Sequence, residues 1–99
     1  MKILALEKEK PNTTSEQFIP HLEAEAARVW ELYNSGQLRE IYFRGNRDEA
    51  VLIFECIDVE AANSILNTLP LVKEGLIEFE IIPLVPYPGF ERLFRDPLP

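Results

Sequence analysis

Three residues of this chain have types and spacing that suit proton and anion chemistry. Glu25 is a carboxylate in a stretch with helical periodicity, and His21 lies four residues before it. Residues four apart share one helix face, so the two side chains can touch. His21 is the only histidine, and an imidazole titrates near neutral pH. Arg39 opens the next segment; its planar guanidinium takes a carboxylate through two parallel hydrogen bonds. An Arg at the end of a core needs a partner, and Glu25 on the preceding helix is the obvious one. The pair has two readings, a substrate pocket or a plain helix-to-sheet salt bridge. His21 likewise reads as a site residue or as a solvent-facing one.

These side chains must be placed by regular elements. Ile3–Leu6 is an apolar run that reads as a first strand, followed by a loop from Lys8 to Thr13. Thr13 with Glu16 fits a capping box, and Pro20 suits the first position of a main helix after a short turn over Ser15–Ile19. Leu22, Ala26, Val29 and Tyr33 form its apolar stripe, His21, Glu25, Arg28 and Leu32 a neighbouring one, and Gly36 stops it. Residues 38–44 and 49–57 alternate around the turn-forming Gly45-Asn46-Arg47-Asp48. Pairing Arg44 with Glu49 puts Phe43 beside Ala50, Ile41 beside Leu52 and Arg39 beside Phe54 on the helix-covered face. The opposite face then carries Tyr42 with Val51, Glu40 with Ile53 and Leu38 with Glu55. Asp58 caps a second helix, Val59 to about Leu69, and Ile77–Leu84 alternates again. The order βαββαβ is the split βαβ, or ferredoxin-like, α+β sandwich: an antiparallel sheet with both helices on one face and the other face open.

Composition narrows the function further. The chain has 99 residues, 10 Lys+Arg against 17 Asp+Glu, and a net charge of −7. That charge argues against nucleic acid, whose binders need a basic face. One Cys and one His exclude an intrachain disulfide and an N/S zinc site. The four glycines are scattered, so there is no phosphate-cradling loop. No apolar run suits a signal peptide or a membrane span, and the expectation is a cytoplasmic protein without membrane contact.

The last segment is unusual. Residues 83–99 hold five of the eight prolines together with Tyr87, Phe90 and Phe94. The expected division is a domain over residues 1–84 and an arm over residues 85–99 docked on a neighbouring subunit. An arm folded back on its own chain is the alternative.

The strings Gly36-Gln-Leu-Arg39-Glu-Ile-Tyr42, Leu69-Pro70-Leu71 and Phe79-Glu-Ile-Ile-Pro-Leu84 resemble the muconolactone isomerase-like proteins of the dimeric α/β-barrel superfamily. The resemblance covers roughly residues 15–84. It implies that two copies join their open sheet faces into a barrel, as a homodimer or a larger homo-oligomer. It also implies a cofactor-free isomerase moving a proton on a small carboxylated or lactone compound. In that reading Glu25 is the base, His21 an auxiliary proton donor and Arg39 the anion clamp, with Tyr42 and Phe54 also binding substrate. Members tend to carry His directly after the residue matching Arg39, where this chain has Glu40. The alternatives are a cofactor-independent monooxygenase acting on an aromatic or quinol substrate, and a non-catalytic binding or assembly module.

Overall fold

The computed structural model describes residues 1–95; the last four residues of the expected arm, 96–99, lie outside the described residues. The elements run β1 (Lys2–Glu9), α1 (Ser15–Phe18), a 3-10 turn (Ile19–His21), α2 (Leu22–Ser35), β2 (Leu38–Phe43), β3 (Ala50–Glu55), α3 (Val59–Leu66), α4 (Pro70–Lys73), β4 (Ile77–Leu84) and a 3-10 turn (Gly89–Leu93). The four strands form one antiparallel sheet in the order β2-β3-β1-β4. This is the ferredoxin-like α+β sandwich. Ile3, Ala5, Leu52 and Phe54 from the sheet meet Leu32 of α2 and Ala62, Leu66 and Leu69 of the α3 region in one core.

The start of the chain departs from expectation. Strand β1 runs on through the charged Glu7-Lys8-Glu9, which the composition assigns partly to a loop, because β4 pairs with it as far as Glu9 opposite Ile77. Odd positions of β1 face the helices, so Glu7 follows Ile3 and Ala5 into the interior and is only 8% exposed. The capping pair is Thr14 and Gln17 rather than Thr13 and Glu16: the Thr14 N–H donates to Gln17 Oε1 at 2.7 Å. Pro20 lies within the 3-10 turn, so α2 begins two residues later than expected. Its end is as expected, with Gly36 in the left-handed region at φ 84°.

Helix α2 is also rotated relative to its larger apolar stripe. Its fully buried residue is Leu32, while Leu22 and Tyr33 are each about half exposed. The stripe containing Glu25 and Leu32 therefore turns inward. Arg28 of the same stripe reaches the other helical segment, where its Nε donates to Thr68 Oγ1 at 2.8 Å.

The hairpin keeps its expected phase from the turn inward, with Phe43 opposite Ala50, Tyr42 opposite Val51, Ile41 opposite Leu52 and Glu40 opposite Ile53. It breaks at Arg39. A β-bulge between Leu38 and Glu40 leaves Arg39 unpaired and sets Leu38 opposite Phe54. Leu38 takes the buried position expected for Arg39 and is 1% exposed.

Residues 85–95 extend beyond β4 with their larger apolar side chains uncovered. Val85, Tyr87, Phe90, Leu93 and Phe94 are 66–82% exposed. The radius of gyration is 17.4 Å and the longest dimension 67 Å, against about 13 Å expected for the radius of a compact chain of this length. Accessible surface is 7226 Å², where a compact monomer of this mass shows roughly 5,800 Å². Among the described residues, the domain does not cover these apolar side chains of the arm. Tyr87 and Phe90 pack edge to face within it, with ring centroids 5.1 Å apart.

Candidate active site

Between α2 and the sheet lies a cavity of about 300 Å³. The helix contributes Leu22, Glu25, Ala26 and Val29; the sheet contributes Ile41, Phe43, Leu52, Phe79 and Glu7; Leu71 closes one side. The cavity exists because α2 presents the small Ala26 there and because β2, at the edge of the sheet, supports it from one side only. Volume and lining suit a molecule of one ring, at the small end of ligand sites.

Glu25 enters this cavity half-buried. Its Oε1 accepts the Leu71 N–H at 3.0 Å, one of the unsatisfied donors in the first turn of α4. Burial pushes the Glu25 carboxyl above the ordinary carboxylate range, and the Leu71 N–H offsets part of that. A carboxylate held in an apolar pocket with a raised affinity for protons is suited to general-base work.

The other carboxyl in the cavity, Glu7, was hidden from the sequence reading. Its Oε1 accepts the Ala50 N–H at 3.2 Å, beyond Leu6–Val51, the last β1–β3 pair at that end. The neighbouring Glu49 does the reciprocal job, its Oε2 accepting the Glu9 N–H at 3.2 Å. Glu49 is also paired, with Arg47 Nε 3.2 Å and Arg44 Nη1 3.9 Å from its Oε1. Glu7 has no ion-pair partner among the described residues. Burial first, and then the nearby Glu9, Glu49 and Glu25, push its carboxyl up to about 7 against the lowering effect of the Ala50 N–H. One signal could have exposed it: extending the β1 alternation one step past Leu6 puts Glu7 on the face of Ile3 and Ala5.

The remaining expected site residues lie elsewhere. Arg39 is exposed at the bulge, its Nε donating to the Gly36 carbonyl, and it makes no ion pair with Glu25. It lines a shallow outer groove of about 520 Å³ at the edge of the sheet, with Trp30, Tyr33 and Tyr42. The bulge is the reason, since it swings position 39 out of the inward row. Tyr42 is in that groove too, its Oη donating to Glu40 Oε1 at 2.8 Å, and this hydrogen bond pushes the phenol up. Phe54 is 0% exposed in the centre of the core and lines no cavity described here, so its expected contact with substrate gives way to packing. His21 is partly exposed in the 3-10 turn and does not line the Glu25 cavity. Among the described residues, no group of three or more His, Cys, Asp or Glu side chains is placed to hold a metal ion.

No protein-family model and no curated protein sequence matches the chain. Solved structures do. Muconolactone isomerase superposes with a TM-score of 0.73 at 19% identity, over 90% of this chain and 93% of that one. This chain has the muconolactone isomerase-like fold. A second match within the same fold is 5-chloro-2-hydroxyhydroquinone dehydrochlorinase from Burkholderia phenoliruptrix, in complex with 2,5-dihydroxybenzoquinone. Its TM-score is 0.67 at 19% identity, over 86% of this chain and 94% of that one. Among the described residues of this chain, no helix is long and apolar enough to cross a membrane.

Proposed function

We propose that the protein is a cofactor-free proton-transfer enzyme, an isomerase or close relative, acting on a small lactone or related carbonyl compound. The observation that carries this reading is Glu25: a half-buried carboxyl with raised proton affinity in a one-ring apolar cavity. The names of both structural neighbours, an isomerase and a dehydrochlorinase of small ring compounds, support the substrate size. The quinone bound by the second neighbour favours one rival, a cofactor-independent oxygenase on a quinol. We place the protein in the cytoplasm as a homodimer or larger homo-oligomer.

The test is deuterium incorporation from D₂O into a panel of small lactones and cyclic enones, followed by NMR. Wild-type protein is expected to exchange the proton next to the carbonyl, and Glu25→Gln to fall to the buffer rate. Gln keeps an oxygen for the Leu71 N–H, so its stability should hold. Glu25→Ala removes that acceptor and should cost about 1 kcal/mol in urea unfolding, as loss of a helix cap does. Wild-type exchange at the buffer rate, with quinol-dependent oxygen uptake instead, would select the rival.

The arm is proposed to dock on a neighbouring subunit. Its support is the surplus surface and the row of exposed apolar residues from Val85 to Phe94. Truncation after Leu84 is expected to lower the oligomeric mass seen by light scattering. An unchanged mass would reject the docking.

A further inference from the structure

We infer that Glu7 is a second working carboxyl of the cavity, the proton donor to a substrate oxygen, and that the cavity takes an uncharged one-ring carbonyl compound rather than a carboxylate. This rests on the reading of Glu25 as base and names the substrate class for that same site. The lining contains two carboxyls and no cation; its other residues are apolar. Arg39, the expected anion clamp, is not part of this lining; it lines the adjoining outer groove, which meets the cavity at Ala26, Val29 and Ile41. An anionic ligand would lose its hydration and meet Glu7 and Glu25 without compensation, which is strongly unfavourable. An uncharged carbonyl meets no such penalty and needs only a donor.

Glu7 is built to be that donor. It is 92% buried, being 8% exposed, and one carboxyl oxygen is taken by the Ala50 N–H. The other has no hydrogen-bond partner among the described residues, and the side chain lines the cavity. The contrast with Glu49 is informative: two arginines pair with Glu49, while the groups that press on Glu7 are acidic side chains. They are Glu9 on β1, Glu49 before β3 and Glu25 on α2, with Asp48 of the hairpin loop lining the space beyond. Each favours a protonated Glu7 near neutral pH. Glu7 also lines a second cavity of about 500 Å³ beside α1, with Thr13, Thr14 and Ser15, which gives the proton a polar way out to solvent.

The chemistry balances without a co-reactant. The Glu25 carboxylate takes the proton from the carbon between a carbonyl and a C=C bond. The C–H pair becomes the new C=C of a dienol, and the carbonyl oxygen takes the Glu7 proton. The Glu7 carboxylate then reclaims the O–H proton as the carbonyl re-forms, and the remote carbon takes the proton held by Glu25. The double bond has moved one position and both carboxyls are as they began.

The test uses 3-cyclohexenone, whose conversion to 2-cyclohexenone is followed by ultraviolet absorbance, with binding of 2-cyclohexenone and cyclohexanecarboxylate measured by NMR titration at pH 6 and pH 8.5. Glu7→Gln is expected to lower kcat at least tenfold at pH 6 with KM little changed, and to abolish an alkaline fall in kcat/KM centred near pH 7. The ketone should bind wild-type protein at least tenfold more weakly at pH 8.5 than at pH 6, and this difference should vanish in Glu7→Gln. Tighter binding of cyclohexanecarboxylate than of the ketone, or no binding of the ketone at either pH, would overturn the substrate class. Glu7→Gln with wild-type kcat and an intact alkaline fall, beside an inactive Glu25→Gln, would overturn Glu7 alone. Wild-type rates in both variants would overturn the Glu25 reading with it.

Discussion

Phe54→Ala is expected to destabilise the protein by about 3–5 kcal/mol, the usual cost of truncating a buried aromatic residue. Phe54 is 0% exposed and sits between Ile3 of β1 and Leu38 of β2, the two residues paired with it across the sheet. Both neighbours are held by strand ladders, and Leu32, Leu66 and Leu69 press from the helical side, so little of the void can close. Domains of this size have a total stability of about 5–15 kcal/mol, so the loss is a large share of it. A fall in Tm on the order of 20 °C by circular dichroism is the matching thermal result. The variant separates packing from substrate contact. Phe43, which lines the cavity and is 67% exposed, should lose little stability on the same truncation. A mild effect at Phe54, or a severe one at Phe43, would contradict this assignment.

The second large effect concerns pH. The Glu7 carboxyl moves from an ordinary value of 4.5 to about 7 in the folded protein. Below 4.5 both folded and unfolded chains hold the proton, and Glu7 costs nothing. Between 4.5 and 7 the unfolded chain releases it while the folded chain keeps it, so stability falls as pH rises. Above 7 the folded chain carries an unpaired buried carboxylate, and the accumulated loss is about 3 kcal/mol at 1.36 kcal/mol per pH unit. Glu7→Gln has no proton to lose and keeps an oxygen for the Ala50 N–H. It should match wild type at pH 4.5 and exceed it by about 3 kcal/mol at pH 8, in urea titrations read as the difference between the two proteins. Equal stability at pH 8 would mean that Glu7 is ionised without cost. A site residue whose replacement stabilises the fold is the usual signature of function held against stability.

Much of the architecture was legible in the sequence. Element order, the helix stop at Gly36, the Asp58 cap and most of the hairpin phase follow from periodicity and turn chemistry, which are local. Asp58 Oδ1 does accept the Ala61 N–H, at 2.8 Å. The site was less legible because each of its features is a tertiary override. Bulges leave no mark in one strand's alternation, so unbroken alternation puts Arg39 in the place that Leu38 holds and makes Phe54 its apparent neighbour. Two stripes about 100° apart on α2 are both partly apolar. The one with the bulkier Leu22 and Tyr33 looked like the core face, yet contact with α4 through Glu25 and with Thr68 through Arg28 turns the other inward. Glu7 was missed because charge was read as the end of a strand, when pairing with β4 carries the strand through it.

The bulge at Arg39 has a meaning beyond the misplaced residue. Leu38 faces in, Glu40 faces out and Ile41 faces in, so the in–out rhythm of β2 is complete without position 39. Arg39 is in effect a spare syllable between two correctly phased halves of a strand. Its backbone belongs to neither half of the ladder, and its side chain answers to no packing demand from the core. The fold therefore leaves position 39 free to take whatever the outer groove requires, while Ile41, the β2 residue common to the groove and the cavity, keeps its place. Ala26, Val29 and Ile41 wall both the outer groove and the cavity, so position 39 is a place where the groove's chemistry can change while the wall it shares with the cavity stays as it is.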